Sequence, residues 1–173
     1  YNPVWQETGV LGSLYQARKY INGPVIICYG DIVYTSDVVK NILKGNPNGI
    51  TVAYEEKNMI STNNNSSVMK NVVFVKEEEL NKIGFFKQSD KASGEFIGMV
   101  CFNGNSWKDL REFLDKIYPT LLNKKFEQSN KIQNAYLTDL LSYFLNNNKS
   151  ISCLNIGNEW IELQNEDSLT KFI

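Results

Sequence analysis

Apolar and polar positions alternate between helical and strand-like spacing, and their order predicts an α/β fold. Near the start of the chain, apolar residues recur at helical spacing over 8–21, run continuously over 24–29 and return to helical spacing over 36–45. Strand-like patterns lie at 50–55, 72–75, 82–87, 95–102, 151–156 and 160–163, and further helical patterns at 110–117 and 137–145. We therefore expect a mixed, mostly parallel, Rossmann-like sheet flanked by helices.

Polar residues and glycines between these patterns predict where the elements begin and end. Thr8 and Ser36 are placed to cap helices, and Ser106 with Asp109 resembles a capping box. Gly45 is a helix-ending residue in the predicted second helix. The Asn- and Ser-rich stretch 58–67 predicts a polar loop, and 167–173 predicts a short closing helix. Thr138 and Asp139 are expected to be surface or packing polar groups within a helix.

The stretch 24–32, PVIICYGDI, carries the clearest chemical signal. Its uncharged, β-branched run is typical of a buried parallel strand. Open α/β sheets bind their ligands outside the carboxyl ends of such strands. The pattern therefore places Asp31 at the mouth of a crevice, with Gly30 leaving room for a close approach.

The composition limits the class of protein that this chain can be. The 173 residues, with a net charge of -1 and 42% hydrophobic residues, predict one globular domain over 1–173. The near-neutral charge gives no sign of the basic surface that nucleic acid binding requires. No apolar run approaches membrane-spanning length. Cys28, Cys101 and Cys153 each lie in an apolar run, which predicts buried thiols in a reducing compartment, the cytoplasm. The start at Tyr1 predicts a fragment.

The chain contains no histidine, which narrows its chemistry. A Ser-His-Asp triad, a Cys-His pair and a His-ligated zinc are excluded within these residues. Oxygen ligands remain, so the metal we expect is a hard cation such as Mg²⁺.

Four segments in order resemble one family. They are 8–17 (TGVLGSLYQA), 29–32 (YGDI), 94–99 (GEFIGM) and 160–169 (WIELQNEDSL). Together they resemble the nucleotidyltransferases that make sugar-nucleotides and CDP-alcohols, and most of all the phosphocholine and phosphonate cytidylyltransferases. The resemblance implies transfer of a nucleotidyl group, with CTP as donor, to a phosphorylated or phosphonate small molecule, and release of pyrophosphate.

The resemblance also implies roles for individual residues. Asp31 matches the family's catalytic Mg²⁺ ligand, and Gln164 stands where the family has a second aspartate. Because residues two apart in a strand face the same way, Glu162 could act in place of Gln164. The segment that contacts base and ribose in the family predicts nucleotide contacts here, carried by Thr8, Gly9, Ser13 and Gly30.

Three further assignments complete the predicted site, and each has a structural alternative. Lys87 follows Ile83-Gly84 as a family lysine does, and is a second catalytic candidate, although a surface lysine at a strand end fits equally. Glu95 is expected to contact the acceptor or to face solvent. Trp160 is expected to hold a quaternary ammonium by cation–π attraction, or to lie in the core.

Departures from the family leave alternatives open. The Gly-rich loop with its Arg and Lys has no counterpart before residue 8, which predicts that a first βαβ portion is lacking. This, together with Gln164, keeps a catalytically silent regulatory or assembly module as an alternative. A glycosyltransferase would require an Asp-x-Asp motif, which the sequence lacks. The oligomeric state stays open, a homo-oligomer included.

Overall fold

The computed structural model describes residues 1–56, 69–87 and 91–163. The helices are α1 (Val10–Ala17), α2 (Ser36–Gly45), α3 (Ser106–Glu112) and α4 (Leu137–Asn146). The strands are β1 (Val25–Cys28), β2 (Ile32–Tyr34), β3 (Ile50–Glu56), β4 (Met69–Lys76), β5 (Glu79–Lys87), β6 (Gly94–Phe102), β7 (Ile151–Asn155) and β8 (Trp160–Glu162). The predicted mixed α/β fold is confirmed, whereas the predicted loop at 58–67 and helix at 167–173 lie outside the described residues.

The main sheet has six strands in the order β1-β6-β3-β7-β5-β4. The expectation of a mostly parallel sheet is wrong for the described strands, since β3 with β7 is their one parallel pair. The hydrophobic pattern misled because it reports burial and not direction. Strand β6 is buried over 96–102 and antiparallel to both β1 and β3.

Strand β1 is also not the fully buried parallel strand that its sequence indicates. It pairs antiparallel with β6 alone, and its residues are half-buried or exposed. With no strand on its other edge among the described residues, β1 keeps its last residue, Cys28, at the surface. Of the three cysteines, all unpaired, only Cys101 is buried, so the prediction of three buried thiols is wrong.

Helices cover both faces of the sheet. On one face, α1, α3 and α4 contribute to a large apolar cluster, with Leu11, Leu110 and Leu140 fully buried. On the other face, α2 packs Val38 and Ile42 against a smaller cluster. No helix within the described ranges is long and apolar enough to cross a bilayer.

Strands β2 and β8 form a separate two-stranded antiparallel ribbon, and the sequence did not predict this pairing. Strand β8 lies within the strand predicted at 160–163, whereas β2 has three residues, too few for a distinctive pattern. The ribbon packs Ile32, Tyr34 and Trp160 against the α2 cluster. It brings β8 alongside the segment after β1.

The predicted helix caps are wrong in their details. Gly9 is the N-cap of α1, Thr35 that of α2 and Asn105 that of α3, none with a capping side-chain bond. The hydroxyl of Ser106 instead donates to the carbonyls of Asn103 and Gly49. Asp139, in the first turn of α4, is 2% exposed and is the buried anchor of that helix start.

Candidate functional site

A groove of about 860 Å³ lies between α1 and the end of β1. Five of the residues that the sequence singled out line this groove: Thr8, Gly9, Ser13, Gly30 and Asp31. The other lining residues are Trp5, Val10, Leu14, Ala17, Ile27, Cys28, Tyr29, Asn71 and Tyr136. The fold thus collects the predicted nucleotide contacts and the predicted metal ligand at one place.

Asp31 lies in the turn that connects β1 to β2. Its backbone carbonyl accepts a hydrogen bond of 2.7 Å from Leu163 N–H, which extends the β2–β8 ribbon. Its side chain is exposed, and no hydrogen bond or ion pair joins the carboxylate to another described residue. The backbone is therefore fixed while the carboxylate remains available to a ligand.

The hydroxyls of Thr8 and Ser13 share one donor at the groove. Asn2 Nδ2 donates to Thr8 Oγ1 at 2.9 Å and to Ser13 Oγ at 3.0 Å. The Thr8 hydroxyl donates its own proton to Val4 O, at 3.0 Å. Ser13 accepts from Asn2, and no carbonyl of the described residues accepts its proton, which can therefore be donated to a ligand.

The glycines of this region have different surroundings. A Cβ on Gly9 would lie 2.8 Å from Asn134 O, and one on Gly12 would lie 2.8 Å from Gln133 O. These glycines let α1 dock against 133–135, where Leu11 N–H donates to Ala135 O. A Cβ on Gly30 would meet nothing within 4 Å. Packing therefore accounts for Gly9, whereas the space beside Gly30 is free for a ligand.

We expect Gly9→Ala and Gly12→Ala to destabilise the protein by about 1–3 kcal/mol, because a backbone carbonyl must give way. Gly30→Ala should leave the unfolding midpoint in urea unchanged and weaken nucleotide binding alone. Gly23→Ala is the matched control, since a Cβ there also meets nothing within 4 Å and Gly23 does not line the groove. A stability loss in Gly30→Ala would contradict this distinction.

Tyr29 forms part of the groove wall and depends on a glycine of β6. Gly98, at φ +82°, lies against the ring, and a Cβ there would be 2.3 Å from Tyr29 Cδ2. The Tyr29 hydroxyl is buried without a hydrogen-bond partner, and burial raises its pKa to about 12. The nearby Leu137 N–H opposes this increase in pKa without reaching hydrogen-bond geometry. The hydroxyl is therefore protonated at neutral pH.

Two exposed aromatic residues at the groove were missed at the sequence level. Trp5 is 61% exposed and Tyr136 is 54% exposed, although both are large rings. Trp5 lies in a single 3₁₀ turn before α1, and Tyr136 is the N-cap of α4. No local pattern links residues so far apart in sequence, and only the packing of α1 against 133–135 brings them to one groove.

Glu95 and Trp160 are both neighbours of Glu55, and neither lines the groove. Glu95 forms a 2.6 Å ion pair with Lys70, and Trp160 Nε1 donates to Glu55 Oε2 at 3.1 Å. Glu55 and Glu95 are direct partners across β3 and β6. Like charges placed directly opposite each other destabilise a sheet. The Lys70 and Trp160 contacts therefore offset a repulsion within the predicted acceptor site.

The remaining predicted site residues, Glu162, Gln164 and Lys87, are not among the described residues that line the groove. Glu162 pairs with Ile32, so strand alternation sets it on the ribbon face opposite to Asp31 and Leu163. Gln164 lies outside the described residues. The backbone of Lys87 pairs with Met69, two residues from Asn71 of the groove, and its side chain is not described.

The groove is poor in positive charge. No lysine or arginine is among the described residues that line it, and Asp31 contributes one negative charge. No three Asp, Glu, Cys or His side chains within the described ranges converge as a metal cage. Mg²⁺ commonly uses one or two carboxylates with water and substrate phosphates, so an available Asp31 fits that role. The mostly apolar walls suit an uncharged ring better than a triphosphate.

No family model and no curated protein match the chain. Solved structures do resemble it. The inositol-1-phosphate CTP transferase from T. maritima aligns with a TM-score of 0.65 at 15% identity over 94% of this chain and 58% of that one. The CTP:phosphocholine cytidylyltransferase LicC from Streptococcus pneumoniae aligns with a TM-score of 0.62 at 15% identity over 98% and 64%. HddC from Yersinia pseudotuberculosis aligns with a TM-score of 0.59 at 13% identity over 95% and 60%.

The chain spans about three-fifths of the length of these structures. Almost all of the chain takes part in each alignment, so the likeness covers the sheet and the helices. The chain therefore has the fold of the nucleotidyltransferases.

Proposed function

We propose that this chain is part of a nucleotidyltransferase that moves CMP from CTP to a phosphorylated or phosphonate small molecule and releases pyrophosphate. The observation that carries the proposal is the groove, where the Asp31 carboxylate, without a partner among the described residues, lies beside the start of α1. The likeness to CTP-using enzymes supports the choice of CTP.

In this reaction an acceptor phosphate or phosphonate oxygen forms a bond to the α-phosphorus of CTP, and the bond to pyrophosphate breaks. The attacking oxygen is already anionic, so no histidine base is needed. The protein's task is to hold the reactants in line and to balance charge. The groove would hold the base and ribose, with the Ser13 hydroxyl as a donor and Gly30 leaving space beside the ligand.

Cations must come from outside the groove lining. Asp31 would hold Mg²⁺ together with phosphate oxygens, and the ion would neutralise charge on the phosphates when bound. Lys87 is proposed as the protein's own cation, since its backbone lies across from Met69 near the groove. Glu162 and Gln164 stay predicted ligands.

The acceptor is proposed to bind beside Glu95 and Trp160. Their contacts with Lys70 and Glu55 combine a carboxylate pair, an ammonium and an indole within one cluster. A cationic acceptor head, such as a quaternary ammonium, suits the carboxylates and the ring face. A phosphate on the same acceptor would instead be attracted to Lys70.

We expect Trp5→Ala to weaken CTP binding by the intact protein, because an exposed indole at an apolar groove can stack on the base. Base–aromatic stacking is worth about 1–3 kcal/mol, a loss of roughly 5- to 150-fold in affinity. Calorimetric titration with CTP and Mg²⁺ measures it. Tyr20→Ala is the control, since Tyr20 is 75% exposed and lies outside the groove. Equal losses in both variants would contradict base stacking on Trp5.

The second candidate is a catalytically silent module with the same fold. The absence of lysine and arginine from the described groove lining favours it. Such a module would bind CTP in the titration yet release no pyrophosphate with any acceptor. Trp5→Ala would still weaken binding, so binding and turnover together separate the two candidates.

A further inference from the structure

The end of β5 is held by a side chain where a neighbouring strand would otherwise pair. Within the described residues β5 pairs with β7 only at Glu79 and Ser152. Further along β5, Gln128 Oε1 accepts from Phe85 N–H at 2.8 Å, and Gln128 Nε2 donates to Phe85 O at 3.5 Å. Gly84 leaves the necessary room, since a Cβ there would lie 2.6 Å from Gln128 Oε1. The Gln128 amide thus replaces a strand partner at this point.

Gln128 is itself fixed by a buried carboxylate. Its backbone N–H donates to Asp139 Oδ1 at 2.8 Å. Asp139 Oδ2 accepts from the Ser129 hydroxyl at 2.8 Å and from Tyr136 N–H at 2.9 Å. Asp139 is 2% exposed, and its bond with Ser129 is buried while the other two are partly buried. The turn carrying Gln128 is therefore tied to the start of α4, where Tyr136 forms part of the groove.

We infer that Gln128 is a positioning residue that sets the end of β5, and with it Lys87, relative to the groove. The inference rests on the proposed function, in which Lys87 supplies positive charge to the phosphates. Lys87 is two residues beyond Phe85 on the same strand. Phe85 pairs with Asn71, which lines the groove. A shift of the Phe85 backbone would therefore change the position of the Lys87 backbone relative to the groove.

The test compares Gln128→Ala with Gln133→Ala in the intact protein. Gln133 also makes a two-point contact, accepting from Asn123 N–H at 3.1 Å and donating to Asn123 Oδ1 at 2.7 Å. It forms no hydrogen bond to β5 and does not line the groove. We expect Gln128→Ala to lower kcat by about 10- to 100-fold, since a displacement on the order of 1 Å can cost that much. The Kd of Gln128→Ala for CTP should stay within about twofold of the parent value. The kcat of Gln133→Ala should also stay within about twofold of the parent value.

Gln128→Glu adds a graded readout, because Glu still accepts from Phe85 N–H but cannot donate to Phe85 O. Its kcat should lie between those of the parent and Gln128→Ala. Amide hydrogen exchange at Phe85 should accelerate in Gln128→Ala and not in Gln133→Ala. Faster exchange with unchanged kcat would overturn the positioning role, as would equal losses of kcat in both alanine variants.

Lys87→Ala separates this inference from the function on which it rests. If the parent transfers CMP and Lys87→Ala loses that activity while Gln128→Ala keeps it, only the positioning role is lost. If Lys87→Ala retains parental kcat, both Lys87 and its positioning are overturned while the transfer reaction stands. A parent without transfer activity would overturn the proposed function together with the inference.

Discussion

Asp31→Asn should lower CMP transfer by the intact protein by roughly 10²–10³-fold, in the range seen when one charge-stabilising group is removed from an active site. The amide keeps the shape of the side chain but lacks the charge that Mg²⁺ requires. The fold should be unaffected, because the described side chain has no hydrogen-bond or ion-pair partner to lose. Pyrophosphate release with CTP and an acceptor measures the effect, and a Mg²⁺ titration shows whether excess metal restores activity.

Asp37→Asn is the matched control for that measurement. Asp37 is an exposed carboxylate of α2 that pairs with Lys40 and does not line the groove. Parental turnover is expected in this variant. If Asp31→Asn also shows parental turnover, Asp31 is not the metal ligand, and no residue of this groove supports the proposed Mg²⁺ site.

Asp139→Ala should destabilise the protein more than either glycine substitution at the start of α1. It leaves the donors at Gln128, Ser129 and Tyr136 without their acceptor in a site that is 2% exposed. The bond from Ser129 is buried and the bonds from Gln128 and Tyr136 are partly buried. A hydrogen bond to a charged group contributes about 1.5–3 kcal/mol, so the loss of all three should lower the free energy of unfolding by roughly 3 kcal/mol or more. Urea denaturation of the intact protein measures this fall.

Asp139→Asn should fall between the parent and the alanine variant, because one amide oxygen still accepts while the NH₂ group faces a donor. Asp37→Asn should leave the midpoint in urea unchanged. A parental midpoint in Asp139→Ala would show that the buried network is not what holds the start of α4.

The sequence predicted much of this site because its signals are local. The run 24–29 ends at the groove, and the segment 8–17 becomes α1 beside it, as the patterns indicate. Asp31 could be placed at a strand end without any structure, since a polar residue after an apolar run marks that position. Helical periodicity located α1, and the apolar run located β1, although it indicated the wrong burial and direction for that strand.

What the sequence could not predict depends on pairing between distant segments. Strand direction was wrong because β6 is buried on both faces whatever the direction of its neighbours. Gly9 was predicted to contact nucleotide, yet the structure shows that it is also required by the approach of Asn134. Asp139 was expected to be an ordinary polar group, because its donors at Gln128 and Ser129 lie outside its own helix.

The most direct test of the account is to follow the α-phosphate of CTP. The intact protein is incubated with CTP labelled at the α-phosphorus, Mg²⁺ and phosphocholine, an aminoalkylphosphonate or a sugar phosphate in turn. The account predicts that the label moves to one of these acceptors, with one pyrophosphate released per transfer, and that Asp31→Asn abolishes most of this movement. Binding of CTP without label transfer to any acceptor would contradict the account and favour the silent module.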